Sequence, residues 1–92
     1  MVDLRRHVDA LVERLLEGDG RASRETRRAA FDAPSGPLLE KVARSAWKIS
    51  DEDVAAAKAA HSEDEIFEAV VCAAVGQAKR QYEAALAALE EA

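Results

Sequence analysis

Three side chains in this sequence carry groups that could take part in a reaction: the thiol of Cys72, the imidazole of His61 and the carboxylate of Glu40. Cys72 is the only cysteine, and it lies among Val and Ala in an apolar run. A nucleophilic thiolate needs a neighbouring cation or a helix N-terminus to lower its pKa. Because Cys72 falls well inside a predicted helix, we expect it to pack as a small apolar residue.

His61 has the residue type of a general base, since the ordinary pKa of imidazole is about 6.5. It follows a predicted helix, at a position where a left-handed residue is common and where His is tolerated better than most residues. We therefore favour an exposed residue at a helix end. His7, beside Arg6 in the first helix, is predicted to lie on the surface.

Two clusters of acidic residues could be interpreted as metal ligands. Three acids follow Ser50 at 51–53, and three more follow Ser62 at 63–65. A serine followed by acids is typical of a helix start, and Ser62 with Glu65 matches the capping box. Hard cations also need ligands that converge from several directions. Helix starts therefore explain both clusters, and we expect no metal and no cofactor.

An arginine group near the N-terminus could bind an anion or an acidic partner protein. It comprises Arg21, Arg24, Arg27 and Arg28. A solvated face is the simpler interpretation, and pairing with the acidic C-terminal half of another subunit is a second one. Residues 1–30 carry seven Arg against six acids, and the whole chain has a net charge of −5. The sequence has no concentrated basic stretch, so we expect no nucleic-acid partner.

The elements that position these residues are predicted to be helices. Ala, Glu, Arg, Leu and Lys dominate, and no run alternates as a strand does, which indicates an all-α fold. The predicted helices cover 2–17, 24–31, 38–49, 51–60 and 63–91. Gly18 and Gly20 end the first helix, and Pro37 suits the first position of the third. We expect a single domain, 1–92, with an N-terminal helical segment over 1–36 and a core over 37–92.

The last predicted helix is apolar on more than one side. Its large stripe is Ile66, Phe67, Val70, Val71, Ala74, Ala78, Tyr82, Ala85, Leu86 and Leu89. Cys72 projects to the opposite sector with Ala69, Ala73 and Val75, so two turns are apolar all round. Such a helix is normally buried on both sides. The second side is therefore predicted to meet another subunit, which makes the protein a homo-oligomer.

The core is predicted to be thin. The chain has twenty-one alanines, and its only aromatic residues are Phe31, Trp47, Phe67 and Tyr82. Trp47 and Tyr82 could line a ligand pocket, but aromatic residues at helical spacing favour the core. A thin core in a short chain is often completed by a partner subunit.

Residues 38–92 resemble the carboxymuconolactone decarboxylase and AhpD-like alkylhydroperoxidase superfamily. The resemblance is carried by LLEKVARSAWKISDEDVAAAKAAHSEDEIFEAVVCAAVGQAKRQYEAALAAL. In this stretch one helix ends in a turn, and acids then lead into a helix that begins with "EI(F)E". That helix continues through a run of small residues to a glycine and ends in Ala-rich turns. The resemblance implies an all-α bundle that assembles into trimers, hexamers or similar rings.

The peroxidase branch of that superfamily implies a Cys-x-x-Cys pair and a nearby His. These should fall near Ala46–Ile49 and Asp53, where this chain has Ala46-Trp47-Lys48-Ile49 and no imidazole. Peroxide reduction needs an attacking and a resolving thiol. The peroxidase activity is therefore not carried over, and no residue matches a decarboxylase site.

The sequence supports three hypotheses of function. The first is an AhpD-like helical protein without the redox pair that acts by self-assembly or binding. The second is an enzyme of the decarboxylase or hydroperoxidase type with a relocated site that uses His61, Cys72 or Glu40. The third is a helical adaptor whose arginine group docks an acidic protein partner.

The sequence also predicts where the protein works. One cysteine fits a reducing cytoplasm. The longest uncharged apolar run, 69–76, is far shorter than the roughly 20 residues that span a bilayer. Residues 1–20 carry charge throughout and do not match a signal peptide. We expect a cytoplasmic protein with no membrane partner.

Overall fold

The computed structural model describes residues 4–91, and its regular structure is entirely helical. The five α-helices are α1 (Leu4–Glu17), α2 (Arg24–Asp32), α3 (Pro37–Arg44), α4 (Asp51–Ala60) and α5 (Glu63–Glu91), with a 3₁₀ turn at Ala46–Lys48. No strand occurs within residues 4–91. The prediction of an all-α chain with about five helices is confirmed. Residues 2 and 3 of the predicted first helix lie outside the described residues.

The helix starts follow the sequence signals closely. Ser23 caps α2, because its Oγ accepts the Thr26 N–H at 3.0 Å. In the capping box of α5, the Glu65 N–H donates to Ser62 Oγ at 3.2 Å and the Ser62 N–H donates to Glu65 Oε1 at 3.1 Å. A matching box with Asp53 at the third position starts α4 after Ser50. These reciprocal hydrogen bonds satisfy N–H groups that a helix start otherwise leaves unpaired.

The third helix is shorter than predicted, and this moves its tryptophan out of the core. The helix ends at Arg44, and Ser45 leaves the helical conformation with a φ of −156°. A helix continued through Ser45 would have kept Trp47 on the apolar stripe with Leu39. The 3₁₀ turn instead directs Trp47 to solvent, where it is 80% exposed. The prediction that Trp47 packs in the core was wrong.

His61 is exposed, as predicted, but its backbone is not left-handed. Its φ of −139° and ψ of 155° are extended. The His61 N–H donates to the Ala57 carbonyl at 3.0 Å, so α4 closes its last turn without a left-handed residue. The extended backbone then leads directly into Ser62 and α5. The prediction of a left-handed cap at His61 was therefore wrong.

The buried core is small and draws on both ends of the chain. Its main cluster is Leu16 of α1, Ala30 and Phe31 of α2, and Cys72 of α5. The helix α2 lies across α5 at Gly76, where an added Cβ would be only 2.2 Å from the Phe31 carbonyl oxygen. Residues 1–36 therefore supply most of what the C-terminal helix packs against.

The side of α5 that carries small residues faces this core, and the stripe of larger apolar residues does not. Cys72, Ala73 and Gly76 are buried. On the large stripe, Phe67 is 69% exposed and Leu89 is 71% exposed. Small residues let the backbone of α2 come close, which the bulky side of α5 would prevent. The chain thus covers one apolar side of α5 and leaves the other open.

The molecule is flat and has a large surface for its mass. Its principal extents are 46 × 30 × 17 Å, and its radius of gyration of 14.6 Å exceeds the roughly 12 Å of a compact domain of this length. Its accessible surface is 6694 Å², against roughly 5,200 Å² for a compact monomer of 9.9 kDa. A single layer of helices on one long helix accounts for this shape.

Candidate functional site

A groove of about 270 Å³ lies between α3, α4 and the start of α5. Its walls are mainly apolar and include Leu38, Leu39 and Ile66. The alanines of α4 keep the groove open, because their methyl groups do not fill the space between the helices. Polar side chains stand at its rim, among them Asp53, His61 and Glu65. Of the three candidate catalytic residues, only His61 lines this groove.

The two carboxylates at the rim already have partners within the chain. Asp53 accepts hydrogen bonds from Lys41 Nζ at 2.7 Å and from the Ser50 N–H at 3.0 Å, and these bonds lower the pKa of Asp53. The hydrogen bonds from Ser62 lower the pKa of Glu65, with a smaller contribution from the charge of His61. A general acid at neutral pH needs a raised carboxyl pKa. Asp53 and Glu65 therefore act as ionised helix caps.

Cys72 has no access to solvent, and its exposed fraction is 0%. Burial raises the pKa of the Cys72 thiol, and the nearby charge of Arg27 offsets this only in part. The thiol stays protonated at neutral pH inside the core. The prediction that Cys72 is buried and packs in the core is confirmed. Glu40 is exposed on α3 and does not line the groove, so the structure does not bring the three candidates together.

The four arginines of the N-terminal group do not form one surface. Arg27 is buried, and its Nη1 donates to the Leu15 carbonyl at 2.9 Å. Arg28 and Arg24 pair with Glu17 at 3.2 and 3.8 Å, and Arg21 pairs with Asp64 at 3.9 Å. Exposed pairs of this kind contribute little to stability. The group mainly ties α2 to its neighbours, and Arg27 is not available to a partner.

Glu68 has a structural role that sequence reasoning missed. Its carboxylate accepts the backbone N–H groups of Arg21 and Ala22, which lie just before α2. These hydrogen bonds lower the pKa of Glu68, and the bond from the Ala22 N–H has the largest effect. Gly20 leaves room for this carboxylate, since a Cβ there would lie 2.9 Å from Glu68 Oε1. No local spacing could have linked Glu68 to this loop, because the contact joins distant parts of the chain.

A second groove, of about 300 Å³, separates α1 from the C-terminal half of α5. Tyr82 lines it and is half-buried, so this aromatic ring is only partly covered by the core. Charged side chains surround the ring, and Arg5 pairs with Glu90 across the groove at 2.6 Å. The aromatic ring with charged neighbours is an ordinary helix–helix boundary. We assign no chemistry to this groove.

The open side of α5 carries two of the large apolar side chains that the structure leaves exposed, Phe67 and Leu89. We define the outer face of α5 by six residues: Phe67, Val71, Ala74, Ala78, Ala85 and Leu89. All are at least partly exposed. From Phe67 to Ala78, and again from Ala85 to Leu89, they recur at the three- and four-residue spacing that places side chains on one side of a helix. Between Ala78 and Ala85, the exposed Gln81 lies at the edge of this face. The charged residues of α5 between its first and last turns, such as Glu68, Lys79 and Arg80, project to other sides.

No three His, Cys, Asp or Glu side chains within residues 4–91 are grouped so that they could hold a metal ion. None of the helices described by the structure is long and apolar enough to cross a membrane. Comparisons with protein-family models, curated proteins and solved structures returned no match.

Proposed function

We propose that the protein acts by self-assembly: an AhpD-like helical protein without the redox cysteine pair whose chains associate through the outer face of α5. The observation that carries this proposal is the exposure of Phe67 and Leu89, 69% and 71%, at the two ends of one uncharged helix face. A contiguous apolar face of this kind is typical of a protein-interaction site.

The energetics of the outer face support the proposal. Burying a Phe or Leu side chain stabilises a complex by about 1.5–3 kcal/mol relative to leaving it in water. The chain has a thin core, and its surface of 6694 Å² exceeds that of a compact monomer. A partner on the outer face would bury apolar area that the 92-residue chain leaves open.

The proposal is tested by measuring mass under native conditions. We expect native mass spectrometry and light scattering to give a multiple of 9.9 kDa for the wild type. Phe67→Glu and Leu89→Glu place a charge on the outer face and should return the monomer with unchanged far-UV circular dichroism. Ala59→Glu, at an exposed position on α4, is the matched control and should assemble like the wild type. A wild type that stays monomeric up to about 500 µM contradicts the proposal.

A second candidate is an enzyme with a relocated site, and the groove beside His61 favours it. The apolar walls and single imidazole could bind a small apolar molecule and exchange a proton with it. Native mass spectrometry would then retain a ligand of defined mass, and His61→Ala would lower turnover. Peroxide turnover that disappears in Cys72→Ser would contradict a purely assembling role.

The adaptor hypothesis has less support, because it needs an accessible arginine surface. Arg27 is buried, and the other three arginines pair with Glu17 and Asp64. Its distinguishing result is salt-sensitive binding to an acidic protein that weakens in Arg28→Ala.

A further inference from the structure

We infer that the outer face of α5 is occupied by a second copy of this chain, whose α5 runs antiparallel to the first and crosses it at Ala78. This inference rests on the proposed function and names the number of copies and the geometry of that assembly. It predicts that Phe67 of each subunit packs against Leu89 of the other.

The order of side-chain sizes along the face carries the inference. Phe67 and Leu89 are each eleven residues from Ala78, and the other residues that define the face between them are small or medium. The larger Tyr82 lies at the edge of the face, in the groove beside α1. A twofold axis through Ala78, perpendicular to α5, superposes position 67 on 89 and position 71 on 85. The same surface then serves both subunits, as an isologous dimer requires.

The sizes also fit the way in which two helices cross. Crossed helices are closest at the crossing point and separate towards both ends, so small residues belong at the centre and large ones at the ends. Ala74 and Ala78 lie at the centre and allow the two backbones to approach closely. Phe67 and Leu89 are large enough to fill the wider gaps at the ends.

The charges of α5 are compatible with this pairing. Every charged residue from Glu65 to Leu89 projects away from the outer face, and most have partners in their own chain: Glu68 holds the loop before α2, Lys79 pairs with Glu83 at 2.8 Å, and Arg80 donates to the Phe31 carbonyl at 2.7 Å. A partner helix therefore desolvates none of them. Antiparallel helices also place opposite ends of their dipoles side by side.

The area available suggests how tight the dimer is. The face from Phe67 to Leu89 is about 33 Å long, and half the circumference of a helix adds a width of about 17 Å. The buried area is then on the order of 600 Å² per subunit, somewhat below the about 800 Å² of a standard interface. We expect a dimer that exchanges, with a dissociation constant in the micromolar range.

Disulfide trapping tests the geometry directly. In a Cys72→Ala background, which removes the only native thiol, Ala78→Cys should form a covalent dimer under mild oxidation, because the twofold axis brings the two positions together. Val71→Cys and Ala85→Cys should not cross-link alone but should cross-link when mixed, since each faces the other across the axis. A disulfide requires Cα atoms within about 7 Å, whereas two copies of position 71 would be about 21 Å apart along the helices. Ala59→Cys on α4 is the exposed control and should not cross-link.

The outcomes separate this inference from the proposed function. Cross-linking of Ala78→Cys and of the 71–85 mixture, without self-linking at position 71, supports the antiparallel dimer. Self-linking of Val71→Cys indicates parallel helices and overturns the inference, although assembly through the outer face stands. If the native mass is that of a dimer or trimer but position 78 does not cross-link, the antiparallel geometry is overturned and assembly through the outer face stands. A monomer overturns both.

Discussion

Gly76 shows how one residue decides which side of α5 faces the core. A Cβ at this position would lie 2.2 Å from the Phe31 carbonyl oxygen, and this oxygen cannot rotate away because it belongs to the backbone. We expect Gly76→Ala to push α2 off α5 and to lower the free energy of unfolding by about 1–2 kcal/mol, as overpacked cores do. Urea denaturation followed by circular dichroism measures this change.

The sign of the change in the free energy of unfolding tests whether this close contact exists. In a helix interior, Gly→Ala without a tertiary contact should stabilise by about 1 kcal/mol, because Ala has the higher helix propensity. Ala84→Gly, at an exposed position on the same helix, measures that propensity here and should destabilise by a similar amount. A more stable Gly76→Ala variant would show that α2 does not lie against α5 at this point.

At the scale of the helices, three carboxylates hold the ends of elements in place. A hydrogen bond from Lys41 is the largest cause of the lowered pKa of Asp53. The pKa of Glu65 is lowered most by the bond from the Ser62 N–H, and that of Glu68 by the bond from the Ala22 N–H. A lowered carboxyl pKa in the folded state contributes stability that is fully present above the unfolded pKa of about 4 and is lost as the pH falls below it. We therefore expect the melting temperature to fall as the pH is lowered from about 5 to about 3.

Glu65→Gln isolates one of these contributions. Glutamine can still accept the Ser62 N–H in a capping box, but it does not titrate. The variant should lose less stability than the wild type between neutral and acidic pH. Glu52→Gln removes an exposed acid from the first turn of α4 and leaves its capping box intact, so it should change the pH profile less. Equal pH profiles for Glu65→Gln and the wild type would contradict the structural role of this carboxylate.

The elements also show what the sequence can and cannot predict. Helix starts at Ser50 and Ser62 were predictable, because capping hydrogen bonds join residues three apart. The buried state of Cys72 followed from its apolar neighbours. The outward turn of Trp47 was not predictable, since local pattern does not show that α3 stops at Arg44. Glu68 was missed for a similar reason: its hydrogen bonds reach a loop far away in the chain.

The candidate site was predictable only in part. His61 was recognised by residue type, but the groove around it depends on how α3, α4 and α5 pack, which residue spacing does not determine. The arginine group looked like one surface in the sequence. Packing separated it, because Arg27 turned inward to the Leu15 carbonyl. Long-range contacts therefore decide the function of side chains whose local context is uninformative.

At the scale of the whole molecule, the two segments distinguished by the sequence share one core. Leu16, Ala30 and Phe31 come from residues 1–36, and Cys72 is their main partner in the rest. Residues 37–92 alone would expose Cys72 and Gly76 to water and would keep few buried large side chains. Isolated helices are marginal in water without tertiary packing. Residues 37–92 are therefore not expected to fold as an independent unit.

A fragment of residues 37–92 tests this conclusion. We expect low helicity by far-UV circular dichroism and no cooperative urea transition, because the core partners of α5 are gone. A fragment of residues 20–92 keeps α2 and loses α1, so it should retain a cooperative transition at a lower urea concentration. The 20–92 fragment should differ from the 37–92 fragment because it keeps Ala30, Phe31 and Cys72 of the core together. A cooperatively folded 37–92 fragment would mean that α2 contributes little, and that packing of α3 and α4 against α5 is sufficient for folding.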